Sequence, residues 1–472
     1  MRTYPQGDLA CHVLGYTGAI SAEQLEESQV TEGISYEPGD IVGKSGVELA
    51  FESVLQGVRG VNTVEVDAKG NVVSQIDQVA PQAGKDIRLT IDVDIQRTAE
   101  EALYEGLQRA QDDYKMWDAT AGAVICLDLE DGGVLAMASY PTYSPSKFIG
   151  GITSELWESL TSPESGQPLN NRCISGLYPA ASTIKPFASM TALKHGIVND
   201  GSTWVCKGVW TELGEQWAKK CWSTSGHGRI DLPNALRYSC DIAFYNISLN
   251  FYRNRAEEPN ALQDGLMEWG FGSKTGFELT GEAVGRIPTA AWKAAYNVDT
   301  PEYATWLPGD MANLIIGQGD VLITPLQNAV AYSGIAIGKC VKPHVLKEVL
   351  SSKGEVLISK GMEYSHEPEY NEDDLSLVRY GLRLVARENG YIRDFPITTA
   401  GKTGTAEVAG KDDFGWYVGY APAGDPKYLV VALLEQAGFG GTICPPVVRK
   451  VLAKCLGIED NVEFGAYVDE SR

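Results

Sequence analysis

Two groups of short apolar strands lie far apart in this chain, and any fold must bring them together. Ala123-Val124-Ile125-Cys126-Leu127 and Val134-Leu135-Ala136-Met137-Ala138 flank the turn Asp131-Gly132-Gly133. The second group, near the C-terminus, is Phe414-Gly415-Trp416-Tyr417-Val418-Gly419-Tyr420 and Tyr428-Leu429-Val430-Val431-Ala432-Leu433-Leu434. Residues 397–408, rich in threonine and small side chains, precede it and suit a further strand. The stretch between the groups reads as mostly helical. Strands, then helices, then strands predict an α+β domain, one sheet fed from both ends and covered by helices. Pro445-Pro446 is expected to open a closing helix.

Residues 1–115 read as a smaller α+β unit ahead of a larger domain at 116–472. Val64-Glu65-Val66-Asp67, a turn to Gly70-Asn71, and Val72-Val73 suggest a hairpin. Ile95, Thr98, Ala99, Ala102, Leu103, Leu107 and Ala110 then follow a helical stripe. A chain of 472 residues has room for two or three domains, each with its own core. Its apolar runs are strand-length, too short to span a bilayer. A net charge of −23 argues against nucleic acid, whose phosphates need cations.

Three short patches carry the chemistry. In Ser182-Thr183-Ile184-Lys185 the residues 180–195 predict a helix, so serine and lysine three apart share a face. A serine hydroxyl is a weak nucleophile without an adjacent base. A lysine whose charge is disfavoured by burial or a nearby cation can be that base. Ser182 is therefore the expected nucleophile and Lys185 its proton acceptor. Ser239-Cys240-Asp241 lies between two helical stretches, where Ser239 can relay a proton and Asp241 can hold a lysine or a substrate amide. Lys402-Thr403-Gly404-Thr405 falls in the predicted strand. There Lys402, Thr403 and Thr405 can bind a carboxylate while Gly404 permits close backbone approach. The N–H groups of Ser182 and Thr405 are the expected oxyanion hole.

Each patch has a decoy or a bland alternative. Ser144-Pro145-Ser146-Lys147 repeats the first spacing in a turn-rich segment, where no helix fixes the pair. Ser-x-Asp alone is as well explained by a helix cap. Lys274-Thr275-Gly276 follows the glycine-rich turn Trp269-Gly270-Phe271-Gly272-Ser273 rather than lying in a strand. Gly43-Lys44-Ser45 and Gly317-Gln318-Gly319 lack the further glycines of phosphate and dinucleotide loops.

Taken together, the three patches resemble the motifs of serine β-lactamases and penicillin-binding proteins. Leu169-Asn170-Asn171-Arg172, Tyr178-Pro179 through Pro186, Gly226-His227-Gly228 and Ile316-Gly317-Gln318-Gly319-Asp320 with Ile323-Thr324-Pro325 narrow this further. They resemble class B penicillin-binding proteins, the monofunctional cell-wall transpeptidases. Gly43-Lys44-Ser45-Gly46 and Leu55-Gln56-Gly57-Val58-Arg59-Gly60 resemble the pedestal of the elongation-type, penicillin-binding-protein-2-like branch. The resemblance implies cross-linking of peptidoglycan stem peptides from D-Ala-D-Ala and acylation by β-lactams. It implies no cofactor for catalysis, a membrane glycosyltransferase of the SEDS type and elongation-complex proteins as partners. The implied location is the outer face of a bacterial cell membrane, with an N-terminal anchor that this sequence lacks. The alternatives are a β-lactamase or D,D-carboxypeptidase on the same fold, and a non-catalytic wall-synthesis scaffold. Two departures stand out: Ala180-Ala181 where the family often has Pro-Gly, and aspartate rather than asparagine closing the second motif.

Nine cysteines cannot all pair internally. Cys11, Cys126, Cys173, Cys340, Cys444 and Cys455 sit mostly in apolar runs and read as small core residues. Cys206, Cys221, His227 and Cys240 gather around the second motif instead. Three thiolates and an imidazole would make a closed structural zinc site, although the spacings are longer than in ordinary zinc modules. A Cys206–Cys221 disulfide and fully reduced thiols are the other two readings.

Overall fold

The computed structural model describes residues 2–28 and 36–460, and in it the two strand groups join. Gly122–Asp128 (β1), Val134–Tyr140 (β2), Ala400–Ala406 (β3), Phe414–Ala421 (β4) and Tyr428–Leu434 (β5) form one sheet in the order β3-β4-β5-β1-β2. Every neighbouring pair is antiparallel. The closure is the β5–β1 ladder, from Tyr428 opposite Asp128 to Leu434 opposite Gly122. Because both faces are covered, β4 is buried along its whole length and its sequence shows no polar alternation.

The helices Val93–Tyr114 (α1), Lys185–Lys194 (α2), Asp241–Asn254 (α3), Pro325–Ile337 (α4), Glu372–Glu388 (α5) and Gly440–Cys455 (α6) complete the frame. α1 and α6 cover one face, where Ala99, Leu103, Leu107, Val447 and Val451 meet Val124, Val430 and Ala432. On the other face α4 crosses the sheet and α2 lies within the layer, buried from Lys185 to Leu193. A helix buried all round has no polar stripe to give it away in sequence. Local signals set the ends: Asp92 caps α1 by accepting from the Asp94 and Ile95 N–H groups. Thr324 and Gln327 form a capping box at α4, with Pro325 in its first turn.

The α1 stripe forms and packs on the five-stranded sheet and α6, while Glu100 on its other side accepts from the Ala10 N–H at 2.8 Å. One expectation needs correcting. The closing helix starts at Gly440, so Pro445 and Pro446 lie inside it. The missing N–H of Pro445 leaves the Gly441 carbonyl without its helical donor, and Asn389 Nδ2 donates to it instead at 2.8 Å. The expected hairpin forms from Val61–Val66 and Val72–Val79, almost wholly exposed. Asp67 Oδ1 holds its turn by accepting from the N–H groups of Lys69 (2.8 Å) and Asn71 (2.9 Å). Among the described residues no helix is long and apolar enough to cross a membrane.

Candidate active site

Ser182 lies half-buried in a 3₁₀ turn, Ala181–Ile184, that feeds α2. Lys185 follows three positions on as the first residue of α2, the spacing at which side chains of a helical turn share a face. Ala181 holds a left-handed φ of 49° and donates its N–H to the Gly317 carbonyl at 2.8 Å. β3 runs alongside. A Cβ on Gly404 would meet Thr183 Cγ2 at 3.0 Å and Ala181 Cβ at 3.5 Å, so the third motif's glycine lets the strand reach the serine turn.

Lys185 is fully buried. Its Nζ donates to Asp241 Oδ1 at 2.7 Å, the Ser239 carbonyl at 2.8 Å and Ser239 Oγ at 3.3 Å. Ser239 has a left-handed φ of 50° in the link between the helix Leu232–Arg237 and α3. That conformation is costly for a non-glycine residue and marks a functional turn here. Lys402, also fully buried, donates from Nζ to Ser239 Oγ and to the Thr403 carbonyl, each at 3.0 Å. Two lysines from different motifs thus meet over one hydroxyl. Burial and then the Lys185 charge hold Lys402 well below the ordinary lysine range, with Asp241 pulling the other way.

β3 is the sheet's edge, so its outer backbone groups can pair with an extended peptide. Thr405 Oγ1 accepts from the Gly440 N–H at 3.1 Å, which leaves its own proton free to donate. Thr403 is half-buried on the same strand.

Three supporting groups join them, and of these only Gln318 lies in a segment singled out from the sequence. Trp222 donates its backbone N–H to Asp241 Oδ2 at 3.4 Å and its indole N–H to the Tyr238 carbonyl at 2.8 Å. Gln318 lies along the Glu407 backbone, just past the end of β3, donating at 3.3 Å and accepting at 2.9 Å. Lys219 donates to Asn313 Oδ1 at 2.8 Å, and burial lowers its pKa. The decoys stay outside: Lys274 and Lys147 are exposed, and Thr275 gives both its N–H and its hydroxyl to Glu282 Oε1 at 2.6 Å.

Cys206, Cys221, Cys240 and His227 come together beside this centre, their ligand atoms all within 4.8 Å of one another. Strand pairing between Thr203–Cys206 and Gly228–Asp231 sets Cys206 against the His227 loop. The His227 ring lies between Trp222 and Tyr238, stacked on the latter at 5.4 Å. A hydrogen bond from the Cys240 thiol holds Cys221 low, and the same contact with burial pushes Cys240 up. No disulfide joins any two of these three cysteines in this structure.

Two buried lysines sharing a serine hydroxyl, on a sheet closed by its own first and last strands, define the class of penicillin-interacting serine enzymes. Residues 122–453 match the penicillin-binding protein transpeptidase domain, and residues 1–89 the penicillin-binding protein dimerisation domain. The chain belongs to the penicillin-binding protein family, in its class B, penicillin-binding-protein-2-like branch. It is 32% identical to the peptidoglycan D,D-transpeptidase MrdA of Haemophilus influenzae over 476 residues, covering 96% of this chain and 68% of that one. Among solved structures it is similar to the penicillin-binding protein PBP2 of Helicobacter pylori in complex with MreC. The TM-score there is 0.79 with 28% identity, over 96% of this chain and 79% of that one. It is also similar to a chain from a peptidoglycan synthase complex that coordinates polymerization and crosslinking. That match has a TM-score of 0.79 and 31% identity, over 98% of this chain and 77% of that one.

Proposed function

We propose that Ser182 is the nucleophile of a peptidoglycan D,D-transpeptidase, an enzyme that cross-links stem peptides and is acylated by β-lactams. The observation that carries this reading is the meeting of Lys185 and Lys402 at Ser239 Oγ. Asp241 brings one negative charge to two buried lysines. Two ammoniums against one carboxylate would leave a buried cation uncompensated, which is expensive. Lys402, held well below the ordinary lysine range, gives up its proton more readily than an ordinary lysine. Ser239 Oγ, touching both amines, offers a path for a proton between them.

In the first half-reaction Ser182 Oγ attacks the carbonyl carbon of the terminal D-Ala-D-Ala bond and Lys185 takes its proton. The oxyanion is held by the N–H groups of Ser182 and Thr405. The C–N bond breaks, and the leaving D-alanine nitrogen is protonated from Ser239, which refills from a lysine. Lys402, Thr403 and Thr405 bind the terminal carboxylate, with the peptide laid along the free edge of β3. In the second half an amine from a neighbouring stem peptide attacks the ester, the C–O bond breaks and Ser182 regains its proton. Benzylpenicillin treatment should add one penicilloyl mass to the peptide bearing Ser182, stable for hours, and Ser182→Ala should abolish it. Turnover within seconds would favour a β-lactamase; labelling that survives Ser182→Ala would remove the nucleophile.

The MrdA relative, the PBP2 structure solved in complex with MreC and the synthase-complex chain support placement on the outer face of the cell membrane, working beside a membrane glycosyltransferase and elongation-complex proteins. A structural zinc held by Cys206, Cys221, Cys240 and His227 is part of the proposal. Bonds of about 2.3 Å in a tetrahedron put sulfurs about 3.8 Å apart. Ligand atoms within 4.8 Å need only small shifts to reach that. Its effect would be to fix the loop whose Trp222 N–H steadies Asp241, with no part in the acyl transfer. Metal analysis should find one zinc per chain, lost in Cys221→Ser. A metal-free protein carrying a Cys206–Cys221 linkage would establish the disulfide instead.

A further inference from the structure

We propose that Cys126 and Cys455 are a disulfide site that ties the first strand of the catalytic sheet to its last helix. Their Sγ atoms are 3.4 Å apart, although 329 positions separate them in sequence. A disulfide needs about 2.05 Å, an approach of about 1.4 Å. The two residues divide the task. Cys126 is fixed inside β1, opposite Val430 and Ala136 on its neighbouring strands. Cys455 is the last residue of α6, half-exposed, and Gly457 follows at a φ of 64°. A helix end can yield by that distance where a central strand cannot.

Other buried thiols face different partners. Cys173 donates to the Ala138 and Val124 carbonyls, Cys340 to the Trp269 carbonyl, and Cys11 lies against His12. The pair is also separate from the Cys206, Cys221 and Cys240 cluster, because Cys126 faces the layer of α1 and α6, away from Lys185.

The chemistry is ordinary exchange with a protein or small-molecule disulfide as oxidant. Half-exposed Cys455 attacks one oxidant sulfur as a thiolate, forming a mixed disulfide and releasing the other sulfur as a thiol. Cys126, whose thiol the contact with Cys455 and burial hold up, then loses its proton as it attacks Cys455 Sγ. The second oxidant sulfur leaves. Two protein thiols have lost two protons and two electrons, and both sulfurs of the oxidant have become thiols. Occurrence in the cell rests on the extracytoplasmic placement proposed above; the geometry does not.

The purified chain, equilibrated with oxidised glutathione, alkylated and digested without reduction, tests this directly. A linked pair of peptides containing Cys126 and Cys455, lighter by two hydrogens than the separate thiols, is the expected product. Reduction should lower Tm by roughly 5 °C, since the link closes a very long loop. Cys455→Ser should lose both the linked pair and the shift, while keeping penicillin labelling at Ser182. Full alkylation of both cysteines, or a glutathione adduct that stops at Cys455, would overturn the proposal and leave the transpeptidase reading untouched.

Discussion

Lys-Thr-Gly occurs twice in this chain, and the two copies have almost nothing physical in common. At Lys402 the lysine is fully buried, its amine touches Ser239 Oγ, and Gly404 gives β3 room beside the serine turn. At Lys274 the lysine is exposed. Thr275 there is committed to Glu282, and a Cβ on Gly276 would touch only the Lys342 side chain at 3.4 Å. The tripeptide is identical, so the difference lies in its setting. An edge strand packed against a buried helix desolvates one lysine beside another, whereas a glycine-rich loop leaves its lysine in water.

Exchanging each lysine for methionine is the sharpest way to break this comparison. Lys402→Met should cut the rate of acylation by benzylpenicillin by about 10³-fold or more, and Lys274→Met should change it by less than about twofold. Similar losses from both would mean that the setting is irrelevant. The pH dependence sharpens the same contrast. Lys402 binds its proton less readily folded than unfolded, so between its depressed value and its ordinary 10.5 the unfolded chain carries more protons. Stability then rises with pH across that window, because the penalty for burying this amine is full below it and gone above 10.5. Denaturation midpoints should therefore show Lys402→Met gaining on the parent at neutral pH and losing that gain as pH approaches 10.5. A gap that stays flat would mean no depressed lysine at 402. Lys274→Met should track the parent throughout.

The same contrast shows what could be read before the fold was known. The helix junction at Ser239 was legible because Leu232–Arg237 and Asp241–Asn254 each have clear helical sequence on either side of it. The sheet was legible because β4 and β5 are long apolar runs. Illegible was everything set by a partner from elsewhere in the chain. The α1 stripe announces an amphipathic helix but not which layer it covers. Pro445 looks like a first-turn proline until Asn389 supplies the donor it lacks. Trp222 reaches Asp241 only because the cysteine loop folds back, and spacings too long for an ordinary zinc module still converge in space.

The smallest expected effect concerns Ala181, at the entry to the serine turn. Ala181 sits at a left-handed φ of 49°, which costs a residue with a Cβ about 1–2 kcal/mol. Glycine would remove that strain but would lose more backbone entropy on folding, about 0.5–1 kcal/mol. The methyl is also not idle, since it lies 3.5 Å from where a Cβ on Gly404 would stand and so fills the space that strand β3 leaves open. These terms nearly cancel, and Ala181→Gly should shift unfolding stability by less than about 1 kcal/mol. Acylation should stay within about threefold, because the Ala181 N–H still reaches the Gly317 carbonyl whatever side chain it carries. A rate loss approaching that of Lys402→Met would show that the methyl, and not the backbone conformation, sets the position of the serine.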